Sequence, residues 1–308
     1  MTTGTFRYFD PTSTTSKPWA KVDTGAGRSY NQVSHSRPVS DIRSAPPAAF
    51  GTDISGFALH HAPSAVPTPF DAESTIRDAY YPEIEAILHA HLPGPPGPAQ
   101  KIKKVVIFDH TIRKRDPTSP RQPVQSVHVD QTPGAAAARV RRHIADPAEA
   151  EELLKGRYQI VNVWRPLNHP ATDFPLALVD WRTTEPKDLV AVDLLYPIKN
   201  RTEGDNDDRG KEELPNPEQL ASTEGYEVKG ETYGVAASDK HRFWYVKDMT
   251  PEEVLFIKCF DSRAQGLPGG REGVAALTPH TAFIDPQTPE GVKGRESIEV
   301  RCLVFYEE

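Results

Sequence analysis

The chain has 308 residues, 37% of them hydrophobic and 26% charged, which is ordinary for a soluble globular protein of one large or two small domains. A net charge of -7 argues against nucleic acid as a partner, since a phosphate-binding surface needs clustered Lys and Arg, and the basic groups at 101–104, 113–115 and 139–142 are short, interrupted and read as solvated faces. No apolar run reaches the roughly 18 residues of a membrane helix, the start "MTTGTFRYFDP" lacks the pattern of a signal peptide, and two cysteines, Cys259 and Cys302, read as buried free thiols of a cytoplasmic protein rather than a disulfide scaffold.

Thirty prolines break the chain into short pieces and argue for strands joined by loops rather than long helices. Residues 1–70, rich in Ser, Thr, Pro and Ala, carry weak strand signals and are expected to form an arm, partly irregular, packed on a later core. Residues 71–92 read as helical from the spacing of Ile76, Tyr80, Ile84, Ile87 and Leu88, with Asp71 as cap and Pro82 splitting the run. "PGPPGPAQ" (93–100) is a linker. From 101 onward the texture is that of strands: "KKVVIFDHT" (103–111), "QSVHVDQ" (125–131), "YQIVNVWRPL" (158–167), "FPLALVDWRT" (174–183), "LVAVDLLYP" (189–197), "EVKGETYGVAA" (227–237), "HRFWYVKD" (241–248), "LTPHTAFID" (277–285) and "RESIEVRCLVFYE" (295–307). Two helices fall between 134 and 156, the second capped by Asp146 with Pro147 at its first position. Thr250 and Glu253 have capping-box spacing before the apolar "VLFIKCF", and 199–226 is a polar insertion. The pattern predicts an all-β core, a double-stranded β-helix of the jelly-roll, cupin-like kind with decorating α-helices, formed as a single domain over 71–308.

"SVHVDQTP" (126–133) places His128 and Asp130 two apart in a strand-like run. Side chains at i and i+2 of a strand point the same way, about 6–7 Å apart, so the pair can grip one metal ion from one side. His280, in another strand-like segment, offers a third ligand. Two histidines and a carboxylate on one face of an octahedron, with the opposite face open, are the ligand set of non-haem iron(II) oxygenases. Arg295 follows His280 by about fifteen residues, with Ser297 on the same strand face, and a guanidinium beside a hydroxyl suits the end of a carboxylate. H-x-D alone is a common accident among eleven histidines. The order of the three pieces is what points to a metal site.

Alternation puts Arg295, Ser297, Glu299, Arg301, Leu303 and Phe305 on one face of the last strand. An inward Arg301 needs a partner: Glu299, a substrate carboxylate, or the carboxylate otherwise assigned to Arg295. Leu303 and Phe305 are candidates for the apolar wall of a substrate pocket. In "NVWRPL", Asn162 and Trp164 share one face and Arg165 takes the other. Asn162 is a candidate contact for substrate or for the carboxylate ligand held near Arg295, Trp164 reads as core, and Arg165 as an anchor for an acidic substrate or the partner of a surface acid. His110 is a candidate for the rim of the site.

The blocks "IVNVWRPL" (160–167), "YVKDMTPEEVLFIKCFDS" (245–262), "TPHTAFIDP" (278–286) and "RESIEVRCLVF" (295–305) resemble the fungal secondary-metabolism hydroxylases and desaturases, a group of Fe(II)- and 2-oxoglutarate-dependent oxygenases that includes gibberellin desaturases and oxidases of the aspergillic acid and cercosporin pathways. A fungal aziridine-forming oxygenase acting on a branched amino acid is similar in kind. The resemblance spans about 100–308. It implies that His128, Asp130 and His280 bind Fe(II), that 2-oxoglutarate chelates the iron and sets its far carboxylate on Arg295 and Ser297, and that a small molecule, an amino acid or other carboxylate among the options, is oxidised with O2. Hydroxylation, desaturation and ring closure stay open, as does a homodimer. One departure is the gap of about 150 residues between His128 and His280, much longer than in plant-type members of the superfamily, which puts His280 most in question. The competing reading is a cupin-like isomerase or small-molecule-binding protein, which would not need Arg295 and Ser297. A methyltransferase lacks its Gly-rich loop here, and a serine hydrolase its G-x-S-x-G.

Overall fold

The computed structural model describes residues 1–22, 27–68, 70, 72–92, 100–119, 121–198 and 220–307. Asp71, most of the 93–100 linker and the 199–219 part of the polar insertion lie outside these. The strands are β1 (Thr2–Phe9), β2 (Trp19–Lys21), β3 (Gln32–Asp41), β4 (Phe57–His61), β5 (Ile102–Lys114), β6 (His128–Val129), β7 (Tyr158–Pro166), β8 (Leu176–Val179), β9 (Leu189–Pro197), β10 (Tyr226–Val235), β11 (Phe243–Tyr245), β12 (Glu253–Asp261), β13 (His280–Ala282) and β14 (Glu296–Tyr306). The α-helices are α1 (Glu73–Thr75), α2 (Tyr81–His91), α3 (Pro133–His143) and α4 (Pro147–Lys155).

One sheet runs β1-β3-β11-β8-β13-β6-β10-β9-β2 and the other β4-β12-β7-β14-β5. The larger sheet curls until β1 meets β6 and the residue after β10, through the bridges Arg7↔Ser126 and Phe9↔Ala236. Leu176 and Leu178 of β8 pack across the gap on Trp164, Leu255 and Ile257 of the smaller sheet. This is the jelly-roll arrangement that the strand pattern predicts.

Residues 1–70, expected as a partly irregular arm with weak strand signals, are richer in strands than that. They supply four strands, and β1 buries Thr2, Gly4, Phe6 and Tyr8 while exposing the residues between. Small polar residues at buried positions hide that alternation in the sequence. Pro82 does not break the helical run either: a π turn over Ile76–Tyr80 joins α1 to α2, accommodating a residue that cannot donate to the preceding turn. At Thr250 the capping contact forms, with the backbone N–H donating to Glu253 at 2.9 Å. The chain then continues as β12, because Val254, Leu255, Phe256 and Ile257 fill both faces of a strand held between β4 and β7.

Helices cover the smaller sheet on both sides. On its outer face Ile84 and Leu88 of α2, with Ile76 and Tyr80, pack on Ile298, Val300, Cys302 and Val304; each such apolar side chain contributes about 1.5–3 kcal/mol when fully buried. On the inner face α3 and α4 close one end, setting Val140, Ile144 and Leu153 over Ile160, Leu303 and Phe305. Both start on side-chain caps, Thr132 accepting from the Ala135 N–H and Asp146 from that of Ala148, followed by proline. Both cysteines are free and buried. No helix among the described residues is long and apolar enough to cross a membrane.

Candidate metal centre

The long gap between the two histidines closes in space. β6 and β13 are neighbours, and His128 and His280 sit directly opposite each other, ring centroids 4.5 Å apart. Val127 and Val129 point to the opposite side of the sheet, into the core beneath β1 and β3, so alternation turns His128 inward. Ligand atoms of His128, Asp130 and His280 all lie within 4.8 Å of one another, the only such group of three among the described residues. Nδ1 of each imidazole faces a backbone carbonyl, Ser126 at 2.7 Å and Thr278 at 3.0 Å. A carbonyl can only accept, so Nδ1 carries the proton and the Nε2 lone pair is left for a metal. Asp130 Oδ1 stands 3.3 Å from Nε2 of His128 and 3.9 Å from Nε2 of His280.

The three candidate ligands perturb one another. Burial works against charge on His128, yet the hydrogen bond and charge of Asp130 outweigh it and hold its pKa above the usual value. For His280 burial wins, helped by His128, and the pKa is lowered. Burial opposes ionisation of Asp130 too, but His128, Arg301 and His280 hold its carboxyl well below the ordinary range. A carboxylate between two imidazoles is a donor set for a divalent cation.

Asn162 donates to Asp130 Oδ2 at 2.7 Å. It therefore touches a ligand rather than standing apart for substrate, and its own Oδ1 is buried without a partner. Arg301 of β14 stands directly opposite Asn162 of β7. Its guanidinium reaches Asp130 Oδ2 at 3.4 Å, Asp109 at 2.8 Å, Thr111 at 3.0 Å and Glu299 at 2.7 Å. All three of its nitrogens are thus engaged by the chain itself, which is the internal pairing that alternation allowed and not a vacant carboxylate receptor. Sequence reasoning missed Asp109 and Thr111. The β5–β14 register shifts at Arg301/Cys302, and no local signal announces such a bulge.

Arg295 and Ser297 are each 1% exposed, and Arg295 Nε and Ser297 Oγ have no partner. One Arg295 nitrogen donates to the Phe174 carbonyl at 2.7 Å, and the guanidinium lies 5.5 Å from the Trp164 ring. Among the described residues no carboxylate forms an ion pair with it. Burial, and then the charge of Arg113, press its pKa down to about 9. A buried cation with unused donors beside an unused hydroxyl fits the free carboxylate of a keto acid.

Other expectations are not met. Leu303 and Phe305 are on the predicted face but are 0% and 1% exposed beneath α3 and α4, so they are core. For Arg165 the pairing with an acid is the reading the structure bears out, and not the substrate anchor: it points to the outer face, donates to the Pro251 carbonyl at 2.9 Å and lies 3.6 Å from Glu83 of α2, away from the histidines. His110 also faces outward, bonded to Tyr81 at 2.7 Å and 3.2 Å from Glu73. Arg113, read as part of a solvated face, is half-buried, and burial lowers its pKa.

A family model described as "Oxidoreductase/YMDC permease-like domain" matches residues 6–305. The hydroxylase/desaturase poxK of Penicillium oxalicum is 33% identical over 254 residues, 81% of this chain and 72% of that protein. The Fe(II)/2-oxoglutarate-dependent dioxygenase nvfI of Aspergillus novofumigatus is 34% identical over 184 residues, 60% of this chain and 53% of that one. A solved structure titled iron and alpha-ketoglutarate-dependent endoperoxidase NvfI shares the fold, with a TM-score of 0.77 at 24% identity over 99% of this chain and 98% of that one. The chain belongs to the hydroxylase/desaturase family of fungal Fe(II)- and 2-oxoglutarate-dependent oxygenases.

Proposed function

We propose that this chain oxidises a small molecule of fungal secondary metabolism, by hydroxylation, desaturation or oxidative ring closure, with His128, Asp130 and His280 as its iron ligands and Arg295 with Ser297 as the anchor of 2-oxoglutarate. The observation that carries this reading is the convergence of two Nε2 lone pairs and one carboxylate oxygen within 4.8 Å, beside a buried guanidinium and hydroxyl with unused hydrogen-bonding atoms. The competing cupin-like isomerase or binding protein leaves Arg295 and Ser297 without a task.

Bound Fe(II) and 2-oxoglutarate supply the activation of O2, coupled to decarboxylation of the keto acid, that attacks an unactivated C–H bond. The chain's residues prepare the place. Ser126 and Thr278 carbonyls fix both imidazoles in the tautomer that presents Nε2. Asn162 orients Asp130. Arg295 and Ser297 offer charge-assisted donors to the far carboxylate, in a setting that excludes water and so strengthens them. Trp164, 3% exposed, packs against the Arg295 guanidinium and screens it from solvent. Two free, buried cysteines agree with a cytoplasmic setting.

The test is anaerobic addition of Fe(II) and 2-oxoglutarate to the purified protein, following the weak visible charge-transfer band of the iron–keto acid chelate. The band is expected in wild type and absent in His128→Ala and His280→Ala. A wild-type protein that forms no band refutes the proposal.

A further inference from the structure

Asp130 uses its two oxygens differently. Oδ1 faces both imidazole Nε2 atoms, at 3.3 and 3.9 Å. Oδ2 is turned away from them and accepts from Asn162 at 2.7 Å and Arg301 at 3.4 Å. We propose that Arg301 and Asn162 are positioning residues that occupy Oδ2 and so restrict Asp130 to one bond with the metal.

The division matters because of coordination number. Two imidazoles and one carboxylate oxygen take three of six octahedral positions. A keto acid takes two, and one stays open for O2. A carboxylate that closed on the metal through both oxygens would claim a fourth position and leave none once the keto acid had bound. Nothing in the bonds of Asp130 itself prevents that closure; the hydrogen bonds to Oδ2 do.

Arg301 is suited to this task because it cannot drift away. Asp109 holds Nη1 at 2.8 Å and Glu299 holds Nη2 at 2.7 Å, from β5 and from its own strand, while Thr111 adds a contact at 3.0 Å. The side chains of Arg301, Asp130 and Glu299 are 15%, 14% and 10% exposed, so water competes weakly. Asn162 stands directly across from Arg301 on β7, so the two donors approach Oδ2 from adjacent strands. Groups that orient a metal ligand in this way change affinity or activity by about 10–100-fold when removed.

This inference rests on Asp130 being a metal ligand, and the experiment separates the two. Protein with 13C-labelled aspartate carboxylates is loaded with Zn(II), and infrared difference spectra are taken between metal-bound and metal-free forms. A one-oxygen carboxylate ligand shows a wider separation of its two stretches than a two-oxygen ligand. Wild type is expected to give the wide separation. The double variant Arg301→Gln/Asn162→Ala is expected to give the narrow one, to keep or gain Zn(II) affinity, and to bind 2-oxoglutarate at least about 10-fold more weakly when metal-loaded. A merely structural role for Arg301 would leave the separation unmoved. If loss of the Asp109 and Glu299 partner prevents folding, seen by circular dichroism, the single variant Asn162→Leu removes the nearer donor to Oδ2 while leaving the ion pairs of Arg301 intact, and is read the same way. A variant that folds and keeps the wide separation overturns the inference, as does a narrow separation in wild type. Zn(II) that perturbs no aspartate in wild type overturns the ligand assignment itself.

Discussion

Two buried polar groups among the described residues contrast, one with every side-chain polar atom partnered and one without. In the first, Lys258 donates to Asp53 at 2.6 Å, to Asp261 at 2.7 Å and to the Ala275 carbonyl at 3.0 Å. Arg157 reaches the same two carboxylates at 2.8 and 2.6 Å. Gln159 donates to Asp261 at 2.8 Å and accepts from Tyr306 at 2.6 Å. Two cations face two anions, and none of their side-chain polar atoms is left without a partner. Burial opposes the charge of Asp261, but Lys258 and Arg157 outweigh it and hold its pKa far below the usual range. The second group, Arg295 and Ser297 of β14, is equally buried yet keeps Nε and Oγ unused, and farther along the sheet Asn162, opposite Arg301, keeps Oδ1 unused. An unpaired buried polar atom costs roughly 1–3 kcal/mol. The unused atoms of Arg295 and Ser297 support the proposal that this place receives a carboxylate the chain does not encode. The first network ties the Asp53 loop, β7 and β12 together; the second is the one proposed to bind the keto acid.

The largest effect is expected where the incomplete cluster meets the metal. Asp130→Ala or His280→Ala removes one of the three proposed ligands, so iron retained after desalting should fall from about one per chain to almost none, with keto-acid-dependent O2 uptake lost and the melting temperature nearly unchanged. Retention of iron by either variant breaks the assignment.

Next in size is the complete cluster. Arg157→Met leaves two buried carboxylates with one cation, and urea unfolding should show a loss of about 3–5 kcal/mol. The folded fraction should bind 2-oxoglutarate as wild type does. Weakened binding without destabilisation would reverse the roles given to the two clusters.

Arg295→Ala should behave in the opposite way. It removes a buried cation without a carboxylate partner among the described residues, so stability should hold or rise. Keto-acid affinity should fall by about 2–5 kcal/mol, at least about 30-fold in Kd, because a buried charged anchor is lost.

The smallest effect separates the acid sensitivity of the fold from that of the site. His60 and His143 lie outside both clusters, and their pKa values are pressed from 6.5 down to about 4, His60 by burial and then His91, His143 by burial and then Arg139 and Arg142. The unfolded chain takes up protons first as pH falls below 6.5. Stability from keeping these rings neutral is therefore complete above 6.5 and declines toward 4. His60→Gln/His143→Gln should flatten the melting temperature against pH in that window, and an unchanged slope contradicts the assignment.

Much of this was legible in the sequence, and the rest was hidden for identifiable reasons. His128 and Asp130 two apart, a distant His280 and Arg295 with Ser297 name the groups, because residue type and strand period are local properties. Alternation also placed Arg301, Leu303 and Phe305 on one face of β14. It could not say that α3 and α4 cover the end where Leu303 and Phe305 lie, since covering depends on tertiary packing. The same holds for Asp109, delivered to Arg301 by a bulged register, and for His280, brought opposite His128 only by the order of strands in the sheet. The strands β1 and β3 were missed because threonine, serine and glycine occupy positions where a strand usually announces itself with Val or Ile.

The claim that the incomplete cluster is a keto-acid site is tested most directly by anaerobic calorimetric titration of the Fe(II)-loaded protein with 2-oxoglutarate and, separately, with pyruvate, which has the chelating end but no second carboxylate. Wild type should prefer 2-oxoglutarate strongly, and Arg295→Ala should erase that preference while leaving pyruvate affinity as it was. An Arg295→Ala variant that still favours 2-oxoglutarate to the wild-type extent would contradict the account.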